Sequence, residues 1–193
     1  LTLYMKEGFD INDSIRYGFF QSVSIVTTTG YTLEPLSGLG GSIGFLIFVL
    51  AFIGACSGSV GGGMKVWRIL LMLKVGFSNI TKIIHPSAIS SVKLNGEKIV
   101  SSQIEAVFSF IAIYISFFLL FMLVLIFQNV DFYSAFSGTA AAINNLGPGL
   151  GSFSENYSTL SDVGKFTLTM AMIVGRLELF GVLILFVPSF WRS

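Results

Sequence analysis

The chain is 193 residues long, 53% hydrophobic and 15% aromatic, with only 11% charged side chains and a mean hydropathy of +0.83. A soluble domain carries about 25% charged residues. This composition therefore excludes a water-soluble enzyme domain, a disordered segment and a nucleic-acid binder with a basic surface. A net charge of +1, one cysteine and one histidine exclude an internal disulfide framework, a Cys-cluster metal site and a His-rich zinc centre. An integral membrane protein remains, and its apolar runs are read below as an all-α fold.

Leu1 opens the sequence, with no charged n-region leading into a short apolar run. No signal peptide is expected, and the chain is expected to begin partway through a longer protein. The first apolar stretch, 14–27, is too short to span a bilayer, being a helix of about 20 Å. It runs into the turn TTTGYT at 27–32. From Pro35 to Met64 there are 30 residues without a charge, enough to cross a hydrocarbon core of about 30 Å. Nine of them are glycine, thickening at Gly58, Gly61, Gly62 and Gly63. Each costs a helix interior about 1 kcal/mol relative to Ala. The reading is therefore a broken helix over 41–77, with helical parts at 44–55 and 66–77.

A connector at 78–101 follows, and then 22 uncharged residues from Ala106 to Phe127, read as a spanning helix over 102–128. A second short helix, 131–143, enters the glycine turn NNLGPGLG at 144–151. A last helix over 162–190 carries Arg176 and Glu178 near its middle. Lys65, Arg68, Lys74, Lys82, Lys93 and Lys98 precede the 102–128 helix, so the positive-inside rule puts the connector 78–101 in the cytoplasm. The C-terminus with Arg192 falls on the same side. The glycine turns, with Asp10, Asp13, Glu34, Glu155 and Asp162, face outward.

Short apolar helices that stop at a glycine turn are re-entrant elements, tolerated at membrane depth where they are buried or line a water-filled cavity. Gly30 and Gly147 are 117 residues apart, and the same offset superimposes Phe19 on Phe136 and Ser22 on Thr139. Both copies read short helix, glycine turn, long helix, a plan of parallel repeats.

The turns carry the chemistry. A cation pore replaces the ion's hydration shell with closely spaced backbone carbonyls, and glycine permits the alternating backbone handedness this needs. Thr28, Thr29, Gly30 and Tyr31 fit that role, as do Asn145, Leu146, Gly147 and Pro148. Thr28, Thr29, Gly30, Asn145, Leu146 and Gly147 are the expected cation ligands, and the resemblance given below makes that cation K+. Pro148 has no N–H to anchor its loop, so that loop must be braced by other groups. The glycine-rich segment with Gly58, Ser59, Gly61, Gly62 and Gly63 resembles a phosphate loop until Met64 separates Gly63 from Lys65 and Val66 stands in for Ser or Thr. A flexible gate across a pore suits it better. Arg176 is costly in a membrane, about 2.5–3.5 kcal/mol on insertion scales. Glu178 is a poor partner for it at i,i+2, and the free carbonyls of the broken segment are the natural acceptors. Lys65 and Arg68 are expected near the cytoplasmic face, where their long side chains reach water. No nucleophile–base pair, carboxylate dyad or metal-ligand spacing suggests an enzyme.

TTTGYT at 27–32, GACSGSVGGGMKVWR at 54–68, NNLGPGLG at 144–151 and GRLELFGVLILFVPSFWR at 175–192 together resemble the Trk/Ktr/HKT superfamily of cation transporters. In the Trk branch the likeness is to the C-terminal half of the potassium-uptake subunit. The resemblance implies helix–pore-helix–helix repeats around a central pore, the last two of an expected four being present here: 1–77, lacking its first helix, and 102–193. It makes Gly30 and Gly147 filter glycines at 28–32 and 144–149, the 54–65 segment an intramembrane gating loop, and Arg176 a pore-lining partner of that loop. It implies K+ uptake by symport across the bacterial inner membrane with no organic cofactor, a homodimer, and a cytosolic nucleotide-binding regulatory subunit of the TrkA kind. The other readings are a non-transporting truncated remnant or scaffold, a two-repeat protein that dimerises into a pore, and a Na+-permeable member of the same family.

Overall fold

The computed structural model describes residues 10–33, 40–56, 58, 59, 61–86, 92–94, 96–154, 156–177, 181, 184 and 188–191. Glu34, Glu155, Glu178 and Arg192, invoked above for orientation and pairing, lie outside them, as do Ser57 and Val60 of the glycine-rich segment. Six α-helices are described: α1 (Ile11–Val26), α2 (Gly40–Ile53), α3 (Val66–Ile84), α4 (Ser101–Phe127), α5 (Phe132–Ile143) and α6 (Asp162–Arg176).

α4 is the one described helix long and apolar enough to cross a membrane. Its 27 residues amount to about 40 Å. Val107, Phe110, Tyr114, Phe118, Phe121, Met122 and Leu125 face inward, a spacing of three and four that makes one stripe. Ile115, Leu119, Leu120 and Leu123 point out.

The centre of the molecule is α5, buried along almost its whole length from Ser134 to Ile143. Its residues there are small: Ser134, Ala135, Ser137, Gly138, Thr139 and Ala140 to Ala142. Between apolar phases there is little hydrophobic gain, so helices in a bilayer associate through close van der Waals contact, which small side chains permit. A Cβ on Gly138 would lie 2.7 Å from the Phe153 ring, so a larger residue there would separate α5 from the loop behind it. Phe118 joins the neighbouring helices, its ring edge-on to Phe52 of α2 at 5.5 Å and to Phe136 of α5 at 5.4 Å. α5 starts at Asp131, whose carboxylate accepts the Ser134 N–H at 3.0 Å. α6 starts at Ser161, whose hydroxyl accepts from Gly164 N–H.

Three sequence expectations are corrected. α3 runs on to Ile84, past 77, because the first residue excluded from the helical region is His85, which precedes Pro86 and has φ −128 and ψ 84; proline disfavours the α conformation of the residue before it. The connector thus begins near His85. Within it Lys93–Leu94 pairs antiparallel with Glu97–Lys98, so the fold is not purely α. The intervening Asn95-Gly96 is the strongest short hairpin signal a sequence carries, and Gly96 takes the positive φ, +90, that such a turn needs. The last helix, expected over 162–190, ends as α6 at Arg176, where Leu177 at ψ 13 closes it through a bond to the Ile173 carbonyl. Gly181 and Ile184 are again helical. Pro188–Trp191 forms a 3-10 turn, since Pro188 supplies no N–H to continue an α-helix.

Candidate ion pathway

The two glycine turns share one backbone geometry at an offset of 117 residues. Thr27 and Asn144 close α1 and α5 with φ,ψ of −80,−3 and −87,−1. Thr28 N–H bonds to Ile25 O at 3.0 Å and Asn145 N–H to Ala142 O at 3.0 Å; Thr29 N–H bonds to Ser24 O at 2.8 Å and Leu146 N–H to Ala141 O at 2.8 Å. Thr28 and Asn145 both have φ +54, and Gly30 and Gly147 have φ +81 and +101. Left-handed backbone is unusual for a β-branched residue, so Thr28 must be held there by its surroundings. Its hydroxyl accepts the Gly62 N–H at 3.2 Å.

The loops touch. A Cβ on Gly30 would lie 2.0 Å from the Leu146 carbonyl oxygen and 3.4 Å from the Pro148 ring. Only glycine fits that approach. In the first loop Ser24 Oγ donates to Tyr31 O at 2.7 Å, and the Thr27 and Thr29 hydroxyls bond each other at 2.8 Å. The second loop carries the extra bracing that Pro148 demands. Tyr157 OH donates to Gly147 O at 2.8 Å, Ser137 Oγ takes the Leu150 N–H at 3.0 Å, and Gly149 N–H reaches Phe153 O. Phe153 stacks on Tyr157 at 4.9 Å, and burial pushes the Tyr157 hydroxyl up to about 12. Behind the loop, buried Tyr114 of α4 donates to Asn144 Oδ1 at 2.7 Å, and Asn144 Nδ2 donates to Ala140 O at 2.9 Å.

The glycine-rich segment between α2 and α3 leaves the helical region at Gly54, Gly58, Gly63 and Lys65, all at positive φ. It lies against the C-terminal ends of both short helices. A Cβ on Gly62 would be 1.9 Å from the Asn144 carbonyl oxygen, and one on Gly61 would be 3.3 Å from Thr28 Oγ1. Among the described residues, two of this segment's carbonyls are satisfied by a side chain that the sequence reading placed elsewhere. Lys65, expected above near the cytoplasmic face with its side chain in water, is 5% exposed, and its Nζ donates to Ser59 O at 2.5 Å and Gly61 O at 2.7 Å.

Arg176 is exposed at the end of α6. Its main-chain N–H lies 3.2 Å from the Asn145 amide, which also meets Met172 O at 3.3 Å. Gly175 beside it is flush with α5, since a Cβ would lie 1.9 Å from Ile143 O. Of the other residues expected in the pathway, Thr29, Tyr31, Gly58 and Gly147 are exposed, Ser59 and Pro148 are half-buried, and Leu146 is buried. Sequence reasoning missed Lys65, Tyr114, Asn144 and Tyr157 as supports. Tyr114 could have been found as the one phenol in an otherwise apolar spanning stretch.

Comparison with known proteins gives the class first. The family model described as "TrkH: Cation transport protein" matches residues 7–193. The chain is 41% identical over 193 residues to the Trk system potassium uptake protein TrkH of Halomonas elongata, covering 100% of this chain and 40% of that protein. It is 42% identical over 180 residues to TrkH of Escherichia coli K12, covering 93% of this chain and 37% of that protein. The crystal structure of the potassium transporter TrkH from Vibrio parahaemolyticus superimposes with a TM-score of 0.90 at 38% identity, over 99% of this chain and 41% of that one. The chain belongs to the TrkH family of cation transport proteins, which are membrane transporters and not enzymes, and it spans about 40% of the length of these relatives.

Proposed function

We propose that the chain supplies two of the four sectors of a K+-uptake pore. Thr28, Thr29, Gly30 and Tyr31 form one quarter of a selectivity filter, and Asn145, Leu146, Gly147 and Pro148 form another. The single observation carrying this is the shared geometry of the two turns, with matching hydrogen bonds and matching left-handed residues 117 positions apart. A carbonyl filter needs such a repeat, because each quarter must present oxygens to the ion at the same depth. α1 and α5 aim their C-terminal partial negative charge at the space below the turns, which favours a dehydrated cation there.

The segment 54–65, with Gly58, Ser59, Gly61, Gly62 and Gly63, is the gate in this reading. Its contact with Thr28 and Asn144 supports a position across the exit from the filter. Arg176 is a second cationic element near the Asn145 end of the filter. The membrane is the bacterial inner membrane, the connector and C-terminus are cytoplasmic, and the partners are a second copy of the subunit and a nucleotide-binding regulator of the TrkA kind. The test is growth of a K+-uptake-deficient strain in limiting K+. The strain carries this chain alone, or a chimera in which the chain replaces the matching part of Halomonas elongata TrkH. Rescue by the chimera supports the reading; a chimera that inserts in the membrane and gives no K+ uptake overturns it.

A further inference from the structure

Lys65 combines features that simple packing of the loop does not require. Its side chain is buried, its backbone is left-handed at φ +69, and among the described residues its polar contacts are the Ser59 and Gly61 carbonyls. No carboxylate among them neutralises it. A buried charge is costly unless oxygens replace its water, and here main-chain carbonyls do so, the same kind of ligand a dehydrated K+ would seek. Gly61 and Gly62 lean on Thr28, which follows the cap of α1, and on the carbonyl of Asn144, which caps α5. The carbonyls that hold the ammonium thus belong to a loop packed on the C-terminal ends of two helices, whose partial negative charge favours a cation.

We propose that Lys65 is a tethered competitor of the transported ion: its ammonium occupies the carbonyl site beneath the filter and keeps the loop closed until a permeating cation displaces it. The inference rests on the pore reading above and deepens it. A ligand held on a short tether acts at an effective concentration in the millimolar range or higher, so it opposes ions arriving at ordinary cellular activity. Competition has a signature that a structural staple lacks. It raises the K+ concentration needed for half-maximal flux and depends on the charge of residue 65 rather than its bulk.

The experiment measures K+ flux against K+ concentration in proteoliposomes holding the chimera, without a regulatory subunit, for wild type, K65M, K65Q and K65R. K65M and K65Q should lower the half-saturating K+ by about tenfold and raise flux at low K+, while K65R stays near wild type. In the wild type, amide exchange at Gly61–Gly63 should quicken with added K+ and not with choline. Unchanged half-saturation in folded K65M or K65Q overturns the inference alone. Should both variants fail to fold, K+-independent amide exchange in the wild type does so. A wild-type chimera that never conducts overturns the pore reading and this inference together.

Discussion

The Gly62 amide donates to the Thr28 hydroxyl across 34 positions of chain, at 3.2 Å. One residue belongs to the proposed gate and the other to the proposed filter, so the two are joined by a single bond at a backbone position that would otherwise be strained. Thr28→Val keeps the branched shape and removes the acceptor, leaving the N–H of buried Gly62 unsatisfied at a cost of about 1–3 kcal/mol. Lower thermal stability and weaker K+ over Na+ discrimination are expected together, with Thr28→Ser close to wild type. Stability loss without any change in selectivity would separate the gate from the filter.

The glycines of the two turns should not respond alike. Gly30→Ser meets the Leu146 carbonyl as well as a disfavoured φ, whereas the same change at Gly147 meets open space and only the backbone penalty. Both should erode K+ preference in ion-competition flux assays, Gly30→Ser the more severely and with loss of folded protein. Equal tolerance at both sites would contradict the contact between the loops.

Tyr114→Phe deletes one oxygen. Asn144 is fully buried and its Oδ1 takes the Tyr114 hydroxyl, so the variant should lose about 1–3 kcal/mol, read as a fall in unfolding temperature in detergent. Restoration of stability by Asn144→Leu in the same background would show that the unpaired amide was the cause.

Asp131 makes stability depend on acid. The Ser134 backbone N–H holds its carboxyl below the usual value, so the folded state favours the ionised form. The resulting stability is complete above the unfolded pKa, about 3.9, and is lost as pH falls through the lower folded value. The group is largely exposed, so the effect is small. Unfolding temperature measured downward from pH 5 should fall less steeply in Asp131→Asn, which keeps the cap and drops the titration.

Charge reversal at Lys82 and Lys93 should weaken co-purification with a cytosolic regulatory subunit, and more so at low salt, where exposed charges are least screened. Lys82 and Lys98 border a cavity of about 420 Å³ between α3, the hairpin and the start of α4, so this face has both shape and charge to offer. Undiminished binding by the double variant at low salt would exclude it.

Composition and apolar runs made the helices and both turns legible, because a bilayer demands long uncharged segments and a glycine turn has few other uses beside a sub-spanning helix. The ends of elements were less visible. His85-Pro86 marked the end of α3 and Asn95-Gly96 marked the hairpin, and both signals are local. The supports of the site were hidden for a different reason. Lys65 looks like an interfacial lysine in the sequence, since nothing there shows that the chain turns left-handed and folds its side chain back on Ser59 and Gly61. Tyr157 and Asn144 act through long-range bonds that no spacing reveals.

Tyr114 stands at the midpoint of α4, the helix whose other side presents Ile115, Leu119 and Leu123 outward. The apolar run within it, Ala106 to Phe127, is about 33 Å long and nearly matches a hydrocarbon core of about 30 Å, so the tilt of α4 is governed by the helices it packs on. The residue that fixes Asn144 therefore rides on an element whose inclination the protein itself sets. Any change in how α4 leans on α5 and α6 reaches the geometry of the second turn through one phenol.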